Sequence, residues 1–252
     1  MGSLLLLLGA GFLAGGMNAL AGGGSFVSLP ALIAAGIPPV IANASSTIAL
    51  NPGGLASAWT YRALIGPVLG IGLRLLFPVT LAGGLAGSLL LLWTPSSAFD
   101  ALLPWLLLAA TLALAFARRI GEALRGALRP HPVPVLAVQF VLGVYGGYFG
   151  GAVGLMMLAV WSLLGETDVK ALNGARTLLV TGANFAASVI FVLAGAVAWP
   201  QTLAMLLGGV AGGFAGARLG RILPARLTRI LTLCTTALIT AVFFVRTYAT
   251  NG

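Results

Sequence analysis

The chain has 252 residues, of which 60% are hydrophobic and only 7% charged, against about 25% charged in a typical water-soluble domain. This excludes a soluble globular protein, and the length suits roughly eight to ten membrane segments of about 20 residues with short connections. The +9 balance of thirteen Lys and Arg over four Asp and Glu falls in clusters at Arg118, Arg119, Arg125 and Arg129 and at Arg218, Arg221, Arg226 and Arg229. Such clusters mark cytoplasmic loops, and without interleaved aromatics they do not describe a nucleic-acid groove.

Breaking the apolar pattern at Gly, Pro and charged residues predicts segments over Ser3–Ala21, Ser25–Ala35, Ile41–Tyr61, Ile71–Trp93 and Ala101–Ala117. The apolar start, Leu4 to Leu8, lacks a positive n-region and reads as the first membrane helix. A polar linker, 118–134, follows. Beyond it the pattern predicts Val135–Tyr148, Leu155–Leu164, Ala171–Ala194, Thr202–Leu219 and Leu227–Val245. The second segment of each half is too short to span.

The halves resemble one another at a spacing of about 130 residues. Gly22, Gly23 and Gly24 are answered by Gly150, Gly151 and Gly154, Asn43 and Thr47 by Asn173 and Thr177, and Gly83, Gly84 and Gly87 by Gly208, Gly209 and Gly212. The expected organisation is one membrane domain over 1–252, with repeat one at 1–117, a linker at 118–134 and repeat two at 135–252. An odd number of segments per repeat gives the halves opposite orientation. The fold class is therefore all-α integral membrane, with two inverted-topology repeats, about eight spanning helices and two short broken or re-entrant segments. Placing both arginine loops inside puts the linker in the cytoplasm and both termini outside.

Asn18 and the run Ala21 to Pro30 carry the strongest local signal. Gly22, Gly23 and Gly24 break a helix at membrane depth, where free amides survive only against protein or water. A new helix near Ser25 then points its positive end into that space and favours an anion. Packing of close helices is the competing explanation for the glycines. The next stretch, Gly36 to Gly54, restarts a helix carrying Asn43, Ser45, Ser46 and Thr47, and Asn51 with Pro52 is expected to interrupt it again. Its hydroxyls and amides are candidate donors to an oxyanion, with capping or interhelical bonding as the alternative.

In the second half the matching stretch contains Asn173, Arg176, Thr177 and Asn184. Arg176 is expected about two turns into a membrane segment, where a charge costs roughly 2.5–3.5 kcal/mol on insertion scales. A guanidinium there offers a planar fork of donors to a sulfite, sulfonate or carboxylate group. The alternatives are snorkelling to the interface or pairing with Glu166 or Asp168.

Nothing points to an enzyme, a cofactor or a metal. His131 lies between two prolines in the linker, and Asp100, Glu122, Glu166 and Asp168 map to loops or segment ends, so no membrane acid offers a proton relay. The lone Cys234 excludes an internal disulfide.

Taken together, AGGGSFVSLP, GIPP, ANASS, NPG, the Tyr61–Arg62 pair, YGGYFGGAVG, and VAWP with GGFAGARLGRILP resemble the TauE/SafE family of sulfite exporters along nearly the whole chain. The resemblance implies a multi-pass transporter of the bacterial inner membrane acting on sulfite, sulfonates, thiosulfate or related anions. GGAVG at Gly150–Gly154 departs from the fuller glycine break expected of the family, and Arg176 sits where members vary.

The expected function is therefore export of a small anion, sulfite or another sulfur-containing or organosulfonate anion, through a central site between inverted repeats. The candidate substrate-binding residues are Asn18, Gly22, Gly23, Gly24, Ser25, Ser45, Ser46, Thr47, Asn51, Asn173, Arg176, Thr177 and Asn184. The expected partners are the anion and the lipid bilayer, with no nucleic acid and with a homodimer left open. A carboxylate or organic-anion transporter and a non-transporting membrane scaffold are the alternatives.

Overall fold

The computed structural model describes residues 2–123, 131–151, 153–164, 172–222 and 224–249. Ten α-helices run in chain order: α1 Gly2–Ala21, α2 Ser25–Ala34, α3 Pro39–Thr60, α4 Leu73–Trp93, α5 Ser96–Ala123, α6 Pro132–Tyr148, α7 Val153–Leu163, α8 Leu172–Leu193, α9 Trp199–Ile222 and α10 Ala225–Phe244. A single 3₁₀ turn, Arg62–Leu64, follows α3, and a π turn, Val245–Ala249, ends α10. Among the described residues the only β pairing is an isolated antiparallel bridge between Val68 and Ile71. Pro39 and Pro132 open their helices, where a missing N–H costs nothing. The Nδ1 of His131 accepts a bond from the Val133 N–H at 3.4 Å, a capping role.

Two boundaries differ from the sequence pattern. Asn51 and Pro52 do not interrupt α3, which runs unbroken from Pro39 to Thr60 with Pro52 inside it. Pro52 forfeits one backbone hydrogen bond, whereas a full break in hydrocarbon would strand several amide groups at several kcal/mol each. Helix α5 reaches Ala123 and α6 starts at Pro132, so helix occupies part of the expected linker. Arg125, Arg129, Glu166 and Asp168 lie outside the described residues.

Among the described residues, five helical stretches are long and apolar enough to cross a membrane: Gly2–Leu20, Leu73–Trp93, Ser96–Phe116, Leu172–Leu193 and Ile230–Tyr248. Helices α3 and α9 have 22 and 24 residues but carry more polar sequence, and α6 has 17. Helices α2 and α7, with 10 and 11 residues, are too short to span. The chain is a multi-pass, all-helical membrane protein.

Small residues set the packing. Helix α1 lies parallel to α9, with Gly11 against Met205, Gly15 against Gly209 and Gly16 against Gly216, and a Cβ at Gly15 would run into the Gly209 carbonyl. Helix α4 lies parallel to α6 in the same manner, with Gly83 against Gly143 and Gly147 against the Gly84 carbonyl. Helix α3 runs antiparallel to α8, since Gly54 faces Thr181 while Asn51 reaches Ser188. Apolar side chains fill the rest in two clusters. One centres on Phe26, Leu29, Leu32, Phe99, Leu103 and Phe191, the other on Leu76, Leu142, Met157, Trp161 and Leu179.

The second cluster encloses a satisfied polar knot. Gln139 donates from Nε2 to Thr80 Oγ1 at 2.8 Å and accepts from Trp161 Nε1 at 3.1 Å, tying α4, α6 and α7 together. Gln139→Leu strands the buried indole N–H, a loss of about 1–3 kcal/mol. The expected result is a lower melting temperature in detergent with anion affinity changed less than twofold, because none of the three residues lines the cavity described next.

Candidate functional site: a polar cavity between the helix breaks

Both helix breaks turn on a glycine in the left-handed region. Gly22 has φ +75° and Gly150 φ +72°, a conformation that a side chain disfavours. After each turn a short helix begins, α2 at Ser25 and α7 at Val153. Ser25, Val153 and Gly154 all line one cavity of about 120 Å³, so the positive ends of two short helices meet there. The volume equals about four water molecules at ~30 Å³ each, room for a small oxyanion.

Helices α3 and α8 supply the facing walls. From α3 come Thr47, Leu50, Asn51, Gly54 and Ser57, and Tyr61 follows its last turn; from α8 come Arg176, Thr177, Val180, Thr181 and Asn184. Both sets recur every three or four residues, the spacing of one helical face. Asn18 and Ala19 of α1 complete the wall. Arg176 is the fifth residue of α8, nearer one turn than two from its start. Its stem passes α7 so closely that a Cβ on Gly154 would sit 3.4 Å from Cδ and 3.5 Å from Cγ. Among the described residues no carboxylate lines the cavity and none pairs with Arg176. The one described ion pair joins Arg246 to Asp100 at 3.3 Å, away from the cavity. The proposed pairing of Arg176 with Glu166 or Asp168 lies outside the described residues.

Of the thirteen sequence candidates, Asn18, Gly22, Ser25, Thr47, Asn51, Arg176, Thr177 and Asn184 share this cavity, while Gly23, Gly24, Ser45, Ser46 and Asn173 do not line it. Consecutive residues of a helix point about 100° apart, so Ser45, Ser46 and Thr47 cannot all face one space. Thr47 faces it, and donates back to the Asn43 carbonyl at 3.0 Å. Ser46 is buried, with its Oγ 2.6 Å from that of Ser28 on α2, and Ser45 accepts the Ala198 N–H at 3.0 Å. Gly23 and Gly24 are buried, and a Cβ on Gly24 would meet the Ala14 carbonyl at 2.6 Å. Asn51 is buried too, and its Nδ2 donates to Ser188 Oγ at 3.2 Å. Its Oδ1 and that of Asn184 have no partner among the described residues.

The candidate binding residues did not include Gly54, Ser57, Tyr61, Thr181 or Gly150, which also line the cavity. The first four carry a recoverable signal: they continue the faces begun by Thr47 with Asn51 and by Thr177. Extending those faces by three and four residues reaches each of them.

The sulfite exporter TauE/SafE family matches residues 7–243. The chain belongs to the TauE/SafE family. Among curated relatives, it is 32% identical over 243 residues to the probable membrane transporter protein YfcA of Escherichia coli K12, covering 94% of this chain and 89% of that protein. It is 31% identical over 218 residues to a probable membrane transporter protein of Haemophilus influenzae, covering 86% and 84%. A probable membrane transporter protein of Sinorhizobium, ORF9, is 32% identical over 223 residues, covering 85% and 82%. No solved structure matches. The protein is thus a membrane transporter, and the cavity is the place in it where a charged donor, hydroxyls and two helix starts converge.

Proposed function

We propose that this transporter exports a small anion, sulfite or a related sulfur-containing or sulfonate anion, from a bacterial cytoplasm across the inner membrane. The observation that carries the reading is Arg176 in a small cavity with no carboxylate among its described lining residues, beside the hydroxyl-bearing Thr47, Ser57, Thr177 and Thr181 and the starts of α2 and α7. An oxyanion there finds a charge partner in Arg176, neutral donors in Thr177 and Thr181 and two favourable helix ends, while Thr47 and Ser57 already donate to the Asn43 and Gly53 carbonyls. Each charge-assisted bond is roughly twice as strong as a neutral one. Membership of the sulfite exporter family supports the sulfur chemistry.

The parallel pairing of α1 with α9 and of α4 with α6, and the antiparallel pairing of α3 with α8, are what two inverted repeats would produce. On that topology the cavity opens beside Tyr61 and Arg62, the end assigned to the cytoplasm, with both termini outside. An inside-negative potential favours outward movement of an anion by about 2.3 kcal/mol per charge per 100 mV. That driving force would permit export without a coupling ion.

Thermal stabilisation of purified protein by a panel of anions tests the reading. Sulfite, thiosulfate or a short sulfonate at a hundred times its dissociation constant adds about 2.7 kcal/mol and raises the melting temperature, whereas chloride at equal ionic strength does not. Stabilisation by carboxylates alone moves the substrate to that class. Stabilisation by no anion, together with absence of flux in proteoliposomes, overturns the reading.

A further inference from the structure

We propose that a polar seam along α3 from Asn43 to Asn51 is the gate closing the far end of the cavity, and that it parts once in each transport cycle. The inference rests on the transport reading above. Three bonds tie α3 to the second half of the chain: Asn43 Nδ2 donates to the Tyr148 carbonyl at 2.9 Å, the Ala198 N–H donates to Ser45 Oγ at 3.0 Å, and Asn51 Nδ2 donates to Ser188 Oγ at 3.2 Å. Within the first half, Ser46 is hydrogen-bonded to Ser28 on α2. Asn43, Ser45 and Ser46 are each at most 1% exposed, and none lines the cavity. The cavity begins at Thr47 and extends along α3 to Tyr61 at its other end. At 1.5 Å per residue, Ser45 stands about 18 Å along the helix from Ser57.

What separates this seam from ordinary packing is that it is half satisfied. The Ser188 hydroxyl spends its proton on the Asn184 carbonyl at 2.7 Å, so its oxygen can only accept from Asn51. That fixes the Asn51 amide with nitrogen toward Ser188 and leaves Oδ1 without a partner among the described residues. Asn43 is fixed in the same way, its nitrogen on the Tyr148 carbonyl and its Oδ1 unpaired. The knot at Gln139, by contrast, engages both ends of its amide. A buried unpaired acceptor carries a desolvation cost that hydration removes. Opening the seam breaks a few hydrogen bonds and returns two stranded carbonyls to water, so the closed and open states lie near one another. A bistable contact between two halves is what a gate requires.

The test joins the two halves across the seam. In a Cys234→Ala background, Ser45→Cys with Ala198→Cys places two thiols where the Ala198 N–H now meets Ser45, and a mercuric ion bridges them. The expected result in proteoliposomes is at least a tenfold loss of sulfite or thiosulfate flux on adding mercuric ion, reversed by dithiothreitol, with both single variants insensitive to the metal. The bridged protein should still be stabilised by the same anion. Flux through the bridged protein at the unbridged rate overturns the gate. A Cys234→Ala parent with neither flux nor anion stabilisation overturns the transport reading instead, and the gate falls with it. If the double variant does not fold, Ser45→Cys alone serves. Its labelling by a membrane-impermeant maleimide should be slow at rest and rise several-fold during turnover, and an unchanged rate rejects the proposal.

Discussion

Arg176→Gln is expected to weaken anion binding by about ten- to a hundredfold, the equivalent of losing one charge-assisted interaction of about 1.5–3 kcal/mol. Folding should suffer little or improve. A cation close to the start of α8 opposes the helix dipole, at a cost of about 0.3–1 kcal/mol. Removing the guanidinium therefore relieves the empty protein while depriving the ligand of its partner. Arg176→Lys keeps the charge but not the planar fork, so it should restore part of the affinity. Two measurements on the same preparation check this: the melting temperature without ligand, expected unchanged or higher, and the shift produced by sulfite at a hundred times the parent dissociation constant, expected to fall to about half or less for glutamine and to recover in part for lysine. A variant that loses the unliganded fold would reassign Arg176 to structure.

Gly147→Val should abolish the folded protein. Helices α4 and α6 touch backbone to backbone where a Cβ on Gly147 would collide with the Gly84 carbonyl, and Gly87 and Gly143 crowd the same interface. No flexible side chain stands there to yield. Overpacking of this kind costs about 1–3 kcal/mol where neighbours can shift and more where they cannot. Separation of these two helices would also dislodge Tyr148, whose carbonyl holds Asn43. Gly9→Ala, on α1 with nothing within 4 Å of the added Cβ, is the matching control. It should leave the protein intact or gain about 0.5–1 kcal/mol from the helix propensity of alanine. Size-exclusion chromatography of fluorescent fusions compares the two: a monodisperse peak for Gly9→Ala and none for Gly147→Val.

The helices were legible because hydrocarbon leaves the backbone little choice. A sequence with 7% charged residues must satisfy its amides within helices, and the departures from that rule, at Gly22 to Gly24 and at Gly150, stand out as breaks. Both breaks form as turns with positive φ, and the short helices after them bring Ser25, Val153 and Gly154 to one cavity. Pro52 misled because proline reads as a breaker in water, where freed amides find solvent. In lipid the cheaper outcome is a continuous helix lacking one bond.

Composition and spacing by themselves determined that this chain crosses a membrane many times, that its helices are interrupted at Gly22 and Gly150, and which polar residues sit near those interruptions. Only the tertiary structure decided what those polar residues face. Asn43, Ser45, Ser46, Thr47 and Asn51 belong to one run of α3, yet Thr47 and Asn51 line the cavity while the other three are spent on Tyr148, Ala198 and Ser28. The reason is rotation about the helix axis. Each residue turns 100° from the last, and the neighbour it meets is set by helices α2, α6, α8 and α9, which lie as much as 150 residues away along the chain. Serine and asparagine bond as readily to a passing backbone as to a ligand. Their chemistry could not assign them until the packing had.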